Sequence, residues 1–386
     1  MAIRGIMAKK ACACIFAGLV LTVGMLCAQT IIENPAKPLS KNAGRVVTPK
    51  EVLTITDEGA SDFYFKWPRK LKIGPDGSIY LADSGQLMRF DSSGRFMRNY
   101  QKKGQGPGEI EWLGDFVATE KNVILLATYP HRLVRFDSAG NFERDARVPI
   151  SDRSMSGLLA FDNGVYFLST SESTIGKGSP EGKIVDIGNS IRPFVEGSQA
   201  LAAGVSFPIR VFIGSDGGGG EAFLVLTSLL TAPYRAKSIA LSHTSDYLVK
   251  LYDLESKAVA LQFRRNYRRV DQPVLSEKER TTGAMINRDR PLIRPQEKYR
   301  NDIEDIFVSG DDIWVVTSTY EKGKGRLVDV FDGNGRYIDA FYLNLSPAAL
   351  EALKSPDLCA VQGEYLHLTE GNFDEGFVIK KYRLGI

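Results

Sequence analysis

An all-β ring, a six-bladed β-propeller of four-stranded blades, is the fold class the sequence predicts, and three observations predict it. Leu87–Phe96 (LMRFDSSGRF) and Leu133–Phe142 (LVRFDSAGNF) start 46 residues apart and agree at seven of ten positions. Looser copies recur at 248–253 (LVKLYD), 327–335 (LVDVFDGNG) and 377–382 (FVIKKY), and a unit of about 40–50 residues holding several short strands is the signature of a blade array. The last unit is one strand short, while an isolated strand, Glu51–Ile55, precedes the first. Pairing the two ends closes the ring.

Each unit can be justified in order. In blade 1, strands are expected at 70–73, 78–82, 87–90 and 95–100, separated by Pro75-Asp76-Gly77, a short loop at 83–86 and Ser92-Ser93-Gly94. Gly94 can supply the positive φ that such a turn needs. Blade 2 repeats the pattern at 115–119, 123–128, 133–136 and 142–148. Blade 3, about 157–195, is less regular. Blade 4 is expected over 208–263, with a glycine-rich turn at 217–220 between its first two strands, and blade 5 over 303–343. Blade 6 begins near Leu358 and takes its fourth strand from Glu51–Ile55.

Domain organisation follows. Arg4, Lys9 and Lys10, an apolar run Ala11–Leu26 and Cys27-Ala28-Gln29 have the order of a secretory signal peptide cleaved after Ala28. The run of 16 residues is short for a bilayer-spanning helix. Leu26 stands where a lipoprotein signal would carry a small residue, which disfavours lipidation at Cys27. Residues 29–49 (QTIIENPAKPLSKNAGRVVTP) have no period and are expected as a tether. Residues 50–386 form the propeller, exported to the periplasm or the cell exterior, and a monomer is expected.

Charge excludes one class. The leader removes three of the 49 Lys and Arg and none of the 46 Asp and Glu, so the mature chain is balanced, unlike a nucleic-acid binder, which concentrates positive charge against phosphates. Cys359 is the one cysteine outside the leader, so neither a disulfide nor a cysteine-rich zinc site is available, and it reads as a small buried strand residue.

Three stretches stand out as insertions: 229–246, placed between the second and third strands of blade 4; 264–302, between blades 4 and 5; and 346–354 (SPAALEALK), a capped helix with Pro347 in its first turn. Second-to-third-strand loops and blade-to-blade connections leave an antiparallel blade on the same side, so all three are expected on one face, where a rigid scaffold carries binding groups. The stretch 264–300 holds 11 basic residues, beginning with Arg264, Arg265, Arg268 and Arg269, against five acidic ones. It reads either as an arm for an anionic glycan, phosphate ester or acidic protein or as a solvated loop. Tyr129, Tyr267, Tyr299 and Tyr320 would offer stacking surfaces for sugar or peptide, with Tyr129, His131 and Arg132 at the end of one blade loop.

The run GQGPGE (104–109), PDGSIYLAD (75–83) and the two RFD turns resemble the secreted, six-bladed NHL-type propellers of bacteria over essentially the whole mature chain. The resemblance implies an extracytoplasmic propeller that binds a ligand or partner. GQGPGE is not a phosphate-binding loop: it lacks the Gly-Lys-Ser/Thr ending, and a strand follows it. A metal-dependent hydrolase or lyase, lactonase-like, with a divalent cation in the axial channel is the alternative. Its histidines are too few, three in all, with His367 mid-strand, and a calcium site would draw on Asp83, Glu172, Glu321 and Glu370, all in second-to-third-strand loops. The leading expectation is a binding or scaffolding propeller without catalytic activity or resident cofactor, its ligand a small molecule, glycan or protein.

Overall fold

The computed structural model describes residues 30–386 except 129, 150–152, 162–163, 172–182, 201, 203, 216–220 and 288–289. The expected leader, Cys27, Tyr129, Glu172 and the glycine-rich run 217–220 lie outside the described residues.

Six sheets form the blades of a β-propeller. Blade 1 comprises Lys70–Ile73, Ile79–Asp83, Gln86–Phe90 and Phe96–Asn99, and blade 2 Leu113–Ala118, Asn122–Thr128, His131–Asp137 and Phe142–Arg147. Blade 5 is Ile303–Ser309, Asp312–Glu321, Gly325–Phe331 and Tyr337–Leu343; blade 6 is Cys359–Gln362, Tyr365–Asn372 and Gly376–Arg383. The first strands of blades 3, 2, 1, 6, 5 and 4 touch one another in that succession, which places them around the axis. Apolar side chains accordingly fill the six spaces between neighbouring blades, as in the cluster of Tyr80, Leu87, Phe116 and Leu125 between blades 1 and 2.

Closure is as expected. Lys50–Ile55 pairs antiparallel with Gly376–Arg383, with Ile55 opposite Ile379 and Lys50 opposite Arg383. Leu53 and Ile55 pack against the turn between the third and fourth strands of blade 1, where Gly94 (φ +87°) leaves no room: a Cβ there would lie 2.9 Å from Leu53 Cδ1. The closing strand is thus fixed by its ladder and by the next blade.

Two expectations change. Residues 29–49 are not a bare tether, because Ile32–Asn34 adds a parallel strand to the rim of blade 4 and Arg45–Val47 another to blade 5. Asn34 joins the two, donating to the carbonyls of Arg264 and Gly335 while its own carbonyl accepts the Tyr337 N–H. The boundary of blades 3 and 4 also moves. Blade 3 has five strands (Arg153–Phe161, Gly164–Ser171, Ile184–Pro193, Val205–Ser215, Glu221–Val225), and blade 4 consists of Leu229–Tyr234, Ser238–His243, Val249–Asp253 and Ala258–Arg265. The stretch 229–246 is therefore no insertion. It holds the first hairpin of blade 4, turned by Arg235 at φ 53° in place of glycine.

The other two insertions stand and leave on the expected face. In 266–302 a four-residue helix, Glu277–Arg280, closed by a Ser276/Glu279 capping box, precedes a short hairpin, Thr281–Asn287 with Arg290–Ile293. The helix Pro347–Ala352, capped by Ser346, buries Ala349 and Ala352 against blades 5 and 6. Among the described residues no helix is long and apolar enough to cross a membrane.

Removing the Ile55 side chain, which is 5% exposed, opens a cavity at the seam. Ile55→Ala is expected to cost about 2–5 kcal/mol by urea unfolding, against less than about 0.5 kcal/mol for a surface change such as Lys41→Ala. Equal effects from the two would contradict the seam.

Candidate functional site

On the insertion-bearing face, connections between blades are tied down onto the second-to-third-strand turns. The clearest case is 63–67. Asp83, 1% exposed at the end of its strand, accepts the backbone N–H groups of Lys66 (2.8 Å), Trp67 (2.6 Å) and Ser84. Tyr64 donates its hydroxyl to the Ser84 carbonyl (3.1 Å), and the Gln86 amide donates to the Tyr64 carbonyl (3.0 Å). Phe65 buries its ring beneath. The backbone is pinned by these bonds, yet the Trp67 ring stands 60% exposed and meets Phe373, itself 71% exposed, edge to face at 5.6 Å between centroids.

Blade 2 carries a tryptophan at the matching point, held by a backbone bond instead of a carboxylate. Trp112 lies 45 residues after Trp67, close to the repeat length, and is 61% exposed. Thr128 donates its N–H to the Trp112 carbonyl at 3.0 Å. Tyr64 and Tyr320, each about half exposed, lie at the same side of blades 1 and 5. Trp67, Trp112, Phe373, Tyr64 and Tyr320 thus leave large flat side chains uncovered on this face.

Three residues after each tryptophan the inner strand carries a charge, Lys70 or Asp115. Lys70 lies 3.7 Å from Asp115 and 3.2 Å from Asp357, and Lys72 lies 2.8 Å from Asp115. Asp115 also accepts the N–H groups of Phe116 and Leu158, joining blade 2 to blade 3. Burial opposes the charge on all three groups. It wins at Lys72, whose ammonium is held below its usual range, while Asp115 and Asp357 keep Lys70 above and the two lysines keep Asp115 below. Across the ring, Asp305 occupies the corresponding place in blade 5, accepting the Ile306 N–H (2.8 Å) and the Cys359 thiol of blade 6 (3.1 Å). With no cation against it, burial pushes its carboxyl up to about 7.

The residues expected from sequence divide into several groups. Asp83 positions Trp67 and is taken up by backbone donors. Arg132 is buried in blade 2 and holds GQGPGE from behind, donating to the carbonyls of Gly106 (3.1 Å) and Glu109 and pairing with Asp145. His131 begins the same strand, with burial lowering its pKa. Glu321 accepts the Tyr342 hydroxyl and pairs with Lys324 (2.7 Å); Glu370, buried, accepts the Tyr382 hydroxyl. Of the expected carboxylate set, the described members Asp83, Glu321 and Glu370 are each engaged within or beside their own blade. Among the described residues no three His, Cys, Asp or Glu come together as metal ligands.

The four arginines separate as well. Arg264 pairs with Glu33 of the N-terminal strand at 2.7 Å. Arg265 is buried, 2.7 Å from the fully buried Asp329, with its guanidinium over the rings of Tyr247, Tyr267 and Tyr337. Arg269 pairs with Asp302 at 2.9 Å and covers Tyr299. Arg268 is exposed. Most of this quartet therefore fastens the insertion and the N-terminal strand to blades 4 and 5, and Tyr267 and Tyr299 are covered by arginine instead of facing a ligand. The pair Trp67/Trp112 went unnoticed in the sequence although its spacing carried the signal.

These observations define a class, a six-bladed β-propeller presenting uncovered aromatic side chains on one face. A family model described as a 6-bladed beta-propeller matches residues 55–181. Among solved structures, the chain is similar to a Bacteroides fragilis protein described as exported (12% identity, 92% of this chain and 100% of that chain, TM-score 0.48). It is similar also to a member of the duf4221 family from Bacteroides vulgatus (10%, 88% and 98%, 0.47) and to Hsv2 of Kluyveromyces lactis (10%, 81% and 96%, 0.39). At such identities and scores these likenesses carry no argument about ligand, activity or location. No curated protein matches the chain.

Two outcomes test this assignment. Arg265→Ala strands a buried Asp329 carboxylate and is expected to cost about 3–5 kcal/mol, whereas Arg268→Ala should stay within about 0.5 kcal/mol; chemical denaturation of both variants decides. For Asp305 the unfolded chain releases its proton near 3.8 and the folded chain near 7. The folded state therefore binds the extra proton between those values, and the stability this group contributes is full below about pH 4 and lost as pH rises to about 7. The unfolding free energy of wild type minus that of Asp305→Asn should fall by roughly 1–4 kcal/mol across that window. A difference that stays constant from pH 4 to 7 would overturn the assignment.

Proposed function

We infer that the protein is an extracytoplasmic, NHL-like binding or scaffolding propeller without catalytic activity, engaging a glycan or protein partner on the face that carries Trp67, Trp112 and Phe373. The observation that carries this reading is the exposure of two equivalent tryptophans, 60% and 61%, on backbone held by hydrogen bonds. Ordering a surface on binding costs free energy, and a ring that holds its aromatics in place beforehand avoids much of that cost. Tryptophan is also the residue type that dominates measured binding energy at interfaces. Export is supported by the charge and apolar pattern of residues 1–28.

The test uses the chain from residue 29 onward as bait against a glycan array and against envelope extracts. Trp67→Ala/Trp112→Ala/Phe373→Ala should bind whatever the wild type retains at least about tenfold more weakly, with its thermal midpoint within a few degrees because the rings are exposed. Undiminished retention by the triple variant would remove the reading. Retention lost only when metal is chelated would favour the metal-dependent alternative.

A further inference from the structure

The rim between blades 1 and 2 contains a cleft of about 340 Å³. Its walls are the end of blade 1 (Arg98, Tyr100, Lys102), the GQGPGE connection (Pro107, Gly108) and the outer turn of blade 2 (Phe136, Gly140, Phe142). The size is within the range of small-molecule sites. Two cations line it and no carboxylate does.

The charge imbalance is local to the cleft. Arg89, Arg95, Arg132 and Arg144 each meet a carboxylate within 3.1 Å. Arg98, half-buried, has no ion pair or hydrogen bond among the described residues and rests over the Tyr100 ring at 5.8 Å. Its guanidinium is seated by Gly140: a Cβ at that position would fall 1.9 Å from Arg98 Nη1. The opposite wall fits less tightly but still closely, since a Cβ on Gly108 would lie 3.1 Å from the Phe142 ring. Arg132, through the carbonyls of Gly106 and Glu109, keeps that wall in place. Phe136 and Phe142 meet edge to face at 6.2 Å, giving an apolar surface beside the two cations.

A guanidinium that is half withdrawn from water gains from an anionic partner, and a forked donor beside an ammonium suits a carboxylate. We propose that the blade 1/blade 2 cleft is a binding site for a small organic carboxylate, its acidic group held by Arg98 and Lys102 and its flat apolar body laid against Phe136 and Phe142. The site is independent of the tryptophan face, and either can fail without the other.

Isothermal titration of the chain from residue 29 onward with benzoate tests this, with benzyl alcohol as the neutral isostere. Benzoate should bind saturably at one site and benzyl alcohol at least about tenfold more weakly. Arg98→Gln/Lys102→Gln should weaken benzoate about tenfold or more, while Lys121→Gln, an exposed change on blade 2, leaves it unchanged. Gly140→Ala, which displaces the guanidinium, should lower affinity in the same direction, and the circular dichroism spectrum of each variant checks folding. No saturable benzoate binding, equal affinity for benzyl alcohol, or undiminished affinity in the folded double variant would each overturn the proposal.

Discussion

The antiparallel pairing of Lys50–Ile55 with Gly376–Arg383 is the constraint on which the molecule depends. A blade is one sheet with two apolar faces, and each face is covered only by the next blade. An open ring would leave two such faces in water. The interblade clusters are of similar make-up around the circle, so no single one substitutes for closure, and the seam joins residues over three hundred positions apart. Loop-closure entropy for so long a separation rises only slowly with length, and the ladder, the buried Ile55 and the turn at Gly94 together offset it.

Closure also sets the geometry of function. With the ring rigid, the inner strands enter from one face at fixed distances from one another, and the chain of charges Lys72, Asp115, Lys70 and Asp357 ties blades 2, 1 and 6 at that entrance. Removing one partner of a buried ion pair leaves the other charge uncompensated and is strongly destabilising. Here these pairs keep the backbone just behind Trp67 and Trp112 in register between neighbouring blades. Asp83 does the same from the turn side.

Much of the fold was legible because glycine marks its turns. In blades 1 and 2 the Asp-x-x-Gly signature places strands within a residue or two, and the orphan strand before blade 1 announces the seam. Blades 3 and 4 were misdivided for a physical reason: Arg235 and Lys257 adopt positive φ at turns where glycine would be looked for, so the first hairpin of blade 4 carried no punctuation and read as an insertion. The site was less legible. A run of arginines draws the eye, but composition says nothing about partners, and Arg264, Arg265 and Arg269 each have a carboxylate within 3 Å. What the composition hid, the repeat could have shown, since only the alignment of blades 1 and 2 reveals that Trp67 and Trp112 are the same position.

The N-terminal strands give the ring an unequal circumference. On blades 4 and 5 the outermost ladder groups are already paired with residues 32–34 and 45–47, and blade 3 adds a fifth strand of its own. Blades 6, 1 and 2 end in bare four-stranded sheets, with Lys50–Ile55, Phe96–Asn99 and Phe142–Arg147 outermost, and the charged side chains of the last discourage casual pairing. The free ladder edges of the ring are therefore gathered on one arc, while the rest of the circumference is already covered by strands of the chain itself.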